Sequence, residues 1–98
     1  ISVAANIIPQ DVRAFVHAYL QGDTKKALEW HRKMAVLNKT LFLETNPIPV
    51  KTAVNLLSQS PEYGLPFCGE LRMPMTPLQE QYEQKLKEVL KEYGLPLA

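Results

Sequence analysis

The stretch Leu41-Phe42-Leu43-Glu44-Thr45-Asn46-Pro47-Ile48-Pro49-Val50-Lys51 divides the chain, and the reading of everything on either side depends on it. Each proline lacks a backbone donor and pushes the residue before it out of the α region, so Asn46 and Ile48 are expected to be extended. The segment should therefore end one helix and fix the angle at which the next one leaves. Into it runs the apolar set Ala27, Trp30, Met34, Leu37 and Leu41, at alternating intervals of three and four, which predicts a helix of about five turns capped by Asp23. Out of it run Val50, Ala53, Val54 and Leu57, the inward face of a short helix beginning near Pro49.

Further upstream, Pro9 suits a first helical position, and Val12, Phe15, Val16, Tyr19 and Leu20 follow at helical spacing up to a stop at Gly22. The short Gly22-Asp23 link predicts an αα-hairpin. Ile1-Ser2-Val3-Ala4-Ala5-Asn6-Ile7-Ile8 is an Ile- and Val-rich run without polar alternation, the pattern of a strand buried on both faces of a parallel sheet. No other segment reads as its partner. A lone strand leaves its donors and acceptors unpaired, so the expectation is that the sequence begins inside a larger fold. Without Met or a basic leader, the opening does not read as a signal peptide.

Downstream, Pro61, Gly64, Pro66, Gly69 and Pro74 make Ser58 to Met75 a loop, with Leu65, Phe67, Leu71 and Met73 alternating as candidates to pin it to the core. Thr76-Pro77-Leu78-Gln79 combines a capping hydroxyl, a first-turn proline and a Gln three positions after the cap, which places a helix start there. Leu78, Tyr82, Leu86, Val89, Leu90 and Tyr93 supply the buried face of that helix, and Gly94 with Pro96 ends it. The residues given thus read as mainly α, one strand plus four helices.

Ninety-eight residues allow one small domain, and 46% hydrophobic with 21% charged residues marks a globular chain. A formal net charge of +1 supplies no overall field for nucleic acid. No apolar run approaches the roughly 18 to 20 residues that a bilayer crossing needs. The single cysteine, Cys68, cannot form an internal disulfide, which points to a reducing cytoplasm.

Candidates for chemistry are few. His17 and His31 lack a metal-ligand partner at i+3 or i+4, so no metal site is expected. Cys68 has Phe67 and Gly69 beside it and no base to activate it. Ser2, Ser58 and Ser60 lack the Gly-x-Ser-x-Gly context of a nucleophile elbow. Lys51 could form a Schiff base if its pKa were depressed, but no companion acid or tyrosine accompanies it, and it reads as a structural lysine bonding nearby carbonyls or a carboxylate such as Glu44. Lys25, Lys26, Arg32, Lys33 and Lys39 on the second helix read as a solvated face. No catalytic residue and no cofactor are expected within these residues.

Three stretches together resemble the carboxy-terminal part of the dihydrodipicolinate synthase family, within the class I aldolase superfamily: Ile1 to Asn6, Leu41 to Lys51, and Leu71-Arg72-Met73-Pro74-Met75-Thr76-Pro77-Leu78. Asn-Pro-Ile-Pro-Val-Lys after Leu-Phe-x-Glu is the most specific of them, while Ser58 to Glu70 looks longer than is common in the family. The resemblance implies a (β/α)8 barrel with an appended three-helix domain, so that residues 1–22 would be the last barrel strand and helix and residues 23–98 the helical domain. It further implies a parent lyase that condenses pyruvate with aspartate semialdehyde through a Schiff-base lysine, on the diaminopimelate route to lysine. The lysine, tyrosine and threonine of that chemistry match nothing here, so the fragment itself would be structural and inactive. Ile1 alone would approach the pyruvate pocket, as part of its wall. The implied partners are the rest of the barrel and further copies of the enzyme, with no nucleic acid and no membrane. The alternatives are a stand-alone helical interaction module and another pyruvate-dependent lyase of the superfamily.

Overall fold

The computed structural model describes residues 1–97. They form four helices: α1 (Pro9–Leu20), α2 (Thr24–Thr40), α3 (Ile48–Leu57) and α4 (Glu80–Tyr93), with short 3₁₀ turns at Ala4–Asn6 and Pro61–Tyr63. Local chemistry explains most of the boundaries. Pro9 occupies the first turn of α1, where a missing N–H leaves no bond unmade. Gly22 takes φ +84°, and Asp23 then caps α2 by accepting the Lys26 N–H at 3.0 Å. At the end of α4, Gly94 is left-handed, its N–H bonds Lys91 O, and the Leu95 N–H reaches back to Leu90 O, a Schellman closure.

The α1–α2 hairpin forms as the short link predicts. Phe15 stacks on His31 while Asp11 faces Lys33, so positions descend along α1 as they rise along α2, and the two helices are antiparallel. α4 packs on α2 and α3, and α3 also touches the Ala4–Asn6 turn. The core lies among these elements: Ile7, Leu37, Leu41, Leu57, Leu86 and Leu90 are fully buried. α1 contributes little to it, since Ala18 is its one buried residue.

Three expectations are corrected. The strand over Ile1–Ala5 is not formed, and there is no strand among the described residues: residues 1–3 lie outside any element and Ala4–Asn6 is a 3₁₀ turn. Two polar side chains account for the turn, because Ser2 Oγ accepts the Ala5 N–H at 3.2 Å and Asn6 Nδ2 donates to Val3 O at 3.0 Å. Such local bonds compete with an extended ladder, and no partner strand stands beside the segment to outbid them. The last helix starts at Glu80 and not at Thr76–Pro77. The residue just ahead of it is held from afar: the Gln79 N–H donates to Glu44 Oε1 at 3.1 Å, while Leu78 is drawn into the core. Finally, Ile48 is the first residue of α3 and is not extended. Its side chain is buried and its carbonyl accepts from Thr52 Oγ1 at 2.7 Å, which outweighs the mild steric preference imposed by Pro49.

The loop after α3 is half as the alternation suggests. Leu65 and Leu71 pack against the core, whereas Phe67 and Met73 are exposed.

Candidate functional site

Two polar groupings are built by the fold. The first fastens the long loop to α3. Lys51 and Asn55 stand one turn apart on the same helix face. Lys51 Nζ donates to Glu70 O at 2.6 Å. The Asn55 amide donates through Nδ2 to Gly69 O at 2.8 Å and accepts the Cys68 N–H on Oδ1 at 2.7 Å. Of the partners expected for Lys51, a carbonyl is the one used, and Glu44 instead caps Gln79. The clamp borders an open cleft of about 510 Å³ whose walls include Thr52, Phe67, Leu71 and Glu83. No Tyr, His or Cys is among the described residues that line it, and the Lys51 ammonium is already engaged by the Glu70 carbonyl.

The second grouping joins α1, α2 and α4. Asp11 Oδ2 accepts from the Tyr93 hydroxyl at 2.5 Å and lies 3.9 Å from Lys33 Nζ. That ammonium also sits 5.0 Å from the ring centroids of both Trp30 and Tyr93. Burial, the hydrogen bond to Asp11 and its negative charge together push the Tyr93 phenol well above its ordinary range. Burial also raises Tyr63, with Asp11 adding to the effect. Both phenols therefore stay protonated and act as donors at neutral pH: Tyr93 to Asp11, and Tyr63 to the carbonyl of Ile7. A cavity of about 410 Å³ lies beside this junction, lined by Ile7, Pro9, Asp11, Tyr63 and Leu95 among others. A carboxylate already holding a phenol and an ammonium is a cross-brace between helices rather than a free base.

The residues singled out from sequence are not gathered into one place. Ile1 is fully exposed, and His17, His31 and Cys68 lie at the surface. Among the described residues no three His, Cys, Asp or Glu side chains group as metal ligands. The basic residues of α2 are all exposed, with Lys33 engaged as described. Asp11 and Tyr63 carried no sequence signal and Tyr93 showed only as part of the buried face of α4, because their hydrogen-bond partners lie 56 and 82 positions away.

Fold and clamp thus define an all-helical module whose most specific motif is a structural elbow. The profile of the dihydrodipicolinate synthetase family matches residues 1–93, and the chain belongs to that family. It is 45% identical over 97 residues to the 4-hydroxy-tetrahydrodipicolinate synthase of Aquifex aeolicus, covering 99% of this chain and 31% of that protein. To the synthase of Methanocaldococcus jannaschii it is 46% identical over 95 residues, covering 97% and 30%. The crystal structure of dihydrodipicolinate synthase from Aquifex aeolicus superposes with a TM-score of 0.88 at 46% identity, covering 99% of this chain and 31% of that one. The Thermotoga maritima structure gives 0.85 at 42%, covering 98% and 30%. The chain spans about 30% of the length of these curated relatives. A helical unit of that extent is consistent with the carboxy-terminal part of a (β/α)8-barrel enzyme.

Proposed function

We propose that this chain forms the carboxy-terminal part of a 4-hydroxy-tetrahydrodipicolinate synthase, a lyase joining pyruvate to aspartate semialdehyde through a Schiff base, and that its own contribution is architectural. In this reading residues 1–22 occupy the place of the last barrel strand and its helix, with Ala4–Asn6 as the turn that leads into α1, and residues 23–98 form the appended helical domain. The observation that carries it is the agreement of sequence and fold along almost the whole chain, with residues 41–47 forming the elbow between α2 and α3 and Ile48–Lys51 the first turn of α3. The exposed face of α1 supports it as well: Val16, Tyr19 and Leu20 are 44%, 66% and 76% exposed, as expected of a helix made to cover a barrel. Catalytic groups of such barrels stand at the carboxy ends of the strands, so the Schiff-base lysine belongs to a strand outside these residues.

Within this reading Ile1 forms part of the wall of the pyruvate pocket through backbone and apolar contact. The same uncovered face of α1 fits a partner supplied by the rest of the barrel, and further copies of the enzyme fit a homo-oligomer. One exposed cysteine fits a cytoplasmic setting. Among the described residues no helix is long and apolar enough to cross a membrane.

The test is turnover by the full-length protein. Pyruvate and aspartate semialdehyde should be consumed together, and borohydride should trap pyruvate on the enzyme. The 98-residue chain alone should do neither. Turnover by the isolated chain, or a full-length protein that ignores pyruvate, would sink the proposal.

A further inference from the structure

We infer that Tyr63 is a positioning residue that holds the segment Ile1–Ile8 in register with α3. The inference rests on the synthase reading only in assigning that segment to the wall of the pyruvate pocket.

Ile7 is fully buried, and its carbonyl stands just before α1, where no backbone N–H bonds it. The first bond of that helix runs from the Val12 N–H to Ile8 O, and Pro9 has no donor to offer. Among the hydrogen bonds of the described residues, the Tyr63 hydroxyl is the one partner of Ile7 O. A buried carbonyl without a partner is costly, so this bond fixes where Ile7 settles. Burial and the nearby Asp11 charge keep the phenol protonated, and hence a donor.

Tyr63 can act this way because it is itself held. The Ser58 and Ser60 N–H groups bond Val54 O and Leu57 O on the upstream side. Lys51 and Asn55 grip residues 68–70 on the downstream side. Both ends of the loop thus rest on α3, and its middle delivers one hydroxyl to the other end of the sequence. The segment that receives it is stiffened by the Ser2 and Asn6 bonds and by the Ile8 N–H to Ala4 O bond at 2.9 Å. Restraint at Ile7 is therefore carried back along a short, internally bonded turn toward Ile1.

Tyr63→Phe in the full-length enzyme removes the hydroxyl and leaves the ring. Two readouts are expected. KM for pyruvate should rise about two- to tenfold while kcat stays within about twofold. Amide exchange over residues 1–8 should quicken about tenfold with α4 unchanged. An unchanged KM overturns the inference, as does exchange that stays the same over 1–8 or quickens uniformly across the protein. If the unmutated enzyme fails to trap pyruvate under borohydride, the synthase reading falls. The exchange comparison then decides by itself whether Tyr63 positions this segment.

Discussion

α1 and α4 are both amphipathic, yet they spend their apolar faces differently. α4 sends Leu86, Val89 and Leu90 into the core, whereas α1 buries Ala18 and leaves Val16, Tyr19 and Leu20 at the surface. The same helical periodicity therefore describes one helix that completes the core and another whose apolar face stays uncovered among the described residues. What distinguishes them is attachment. α1 is joined to the rest by half-buried Val12 and Phe15 at the edge of the core and by a polar cross-brace, Asp11 with Tyr93 and Lys33, while α4 is joined chiefly through fully buried leucines.

The sharpest way to break this comparison is to truncate both faces. Leu90→Ala should cost about 2 to 5 kcal/mol by urea unfolding, in the isolated chain and the full-length protein alike, because a fully buried side chain leaves a cavity. Leu20→Ser should behave differently in the two settings. It should cost about 1.5 to 3 kcal/mol in the full-length protein, where the barrel would bury it. In the isolated chain the change should stay within about 0.5 kcal/mol and reduce self-association in sedimentation. Equal costs in both settings would mean that α1 has no outside cover.

The cross-brace offers a smaller effect with a pH signature. Tyr93→Phe should cost about 1 kcal/mol at neutral pH by thermal melting. Because folding raises the Tyr93 phenol above its ordinary value of 10.0, the stability it contributes is complete below that pH and is lost as pH climbs beyond it. The unmutated protein should therefore lose stability more steeply above pH 10.0 than Tyr93→Phe does, with Tyr63 leaving a residual slope of the same sign. The smallest effect belongs to Lys51→Ala, expected at about 0.5 to 1 kcal/mol through its bond to Glu70 O. Pyruvate trapping in the full-length enzyme should survive that change. Its loss without unfolding would make Lys51 catalytic.

How much of this was legible in the sequence depended on how far each determinant lies from what it determines. Asp23 caps α2, and Gly94 closes α4, within a few residues, so both boundaries could be read directly. The break ahead of Pro47 was equally plain, since proline acts on its immediate neighbours, but Pro49 did not keep Ile48 out of α3. The start of α4 was misplaced because the residue before it, Gln79, is held by Glu44, 35 positions upstream, while Thr76 and Pro77 imitate a cap that is never used. The opening run was read by its hydrophobicity, and Ser2 with Asn6 carried the local bonds that fold it into a turn. For the site, Lys51 was recognisable as structural, but Tyr63 and Asp11 were invisible. A lone tyrosine in a Pro/Gly-rich loop shows nothing of the carbonyl it will meet 56 positions away.

The Asn55 clamp has a consequence for how this loop can change over evolutionary time. Its amide, like the Lys51 ammonium, grips main-chain atoms of residues 68–70 and no side chain there. A tether of that kind is indifferent to spelling. Substitutions at Cys68 or Glu70 can drift without unfastening the loop, and alkylation of the exposed Cys68 thiol should leave it in place. Gly69, with φ +77°, is the exception, since most side chains would strain the backbone there. Selection on this stretch should therefore fall on two letters of α3 and one glycine, and the intervening text is left free to acquire new surface chemistry.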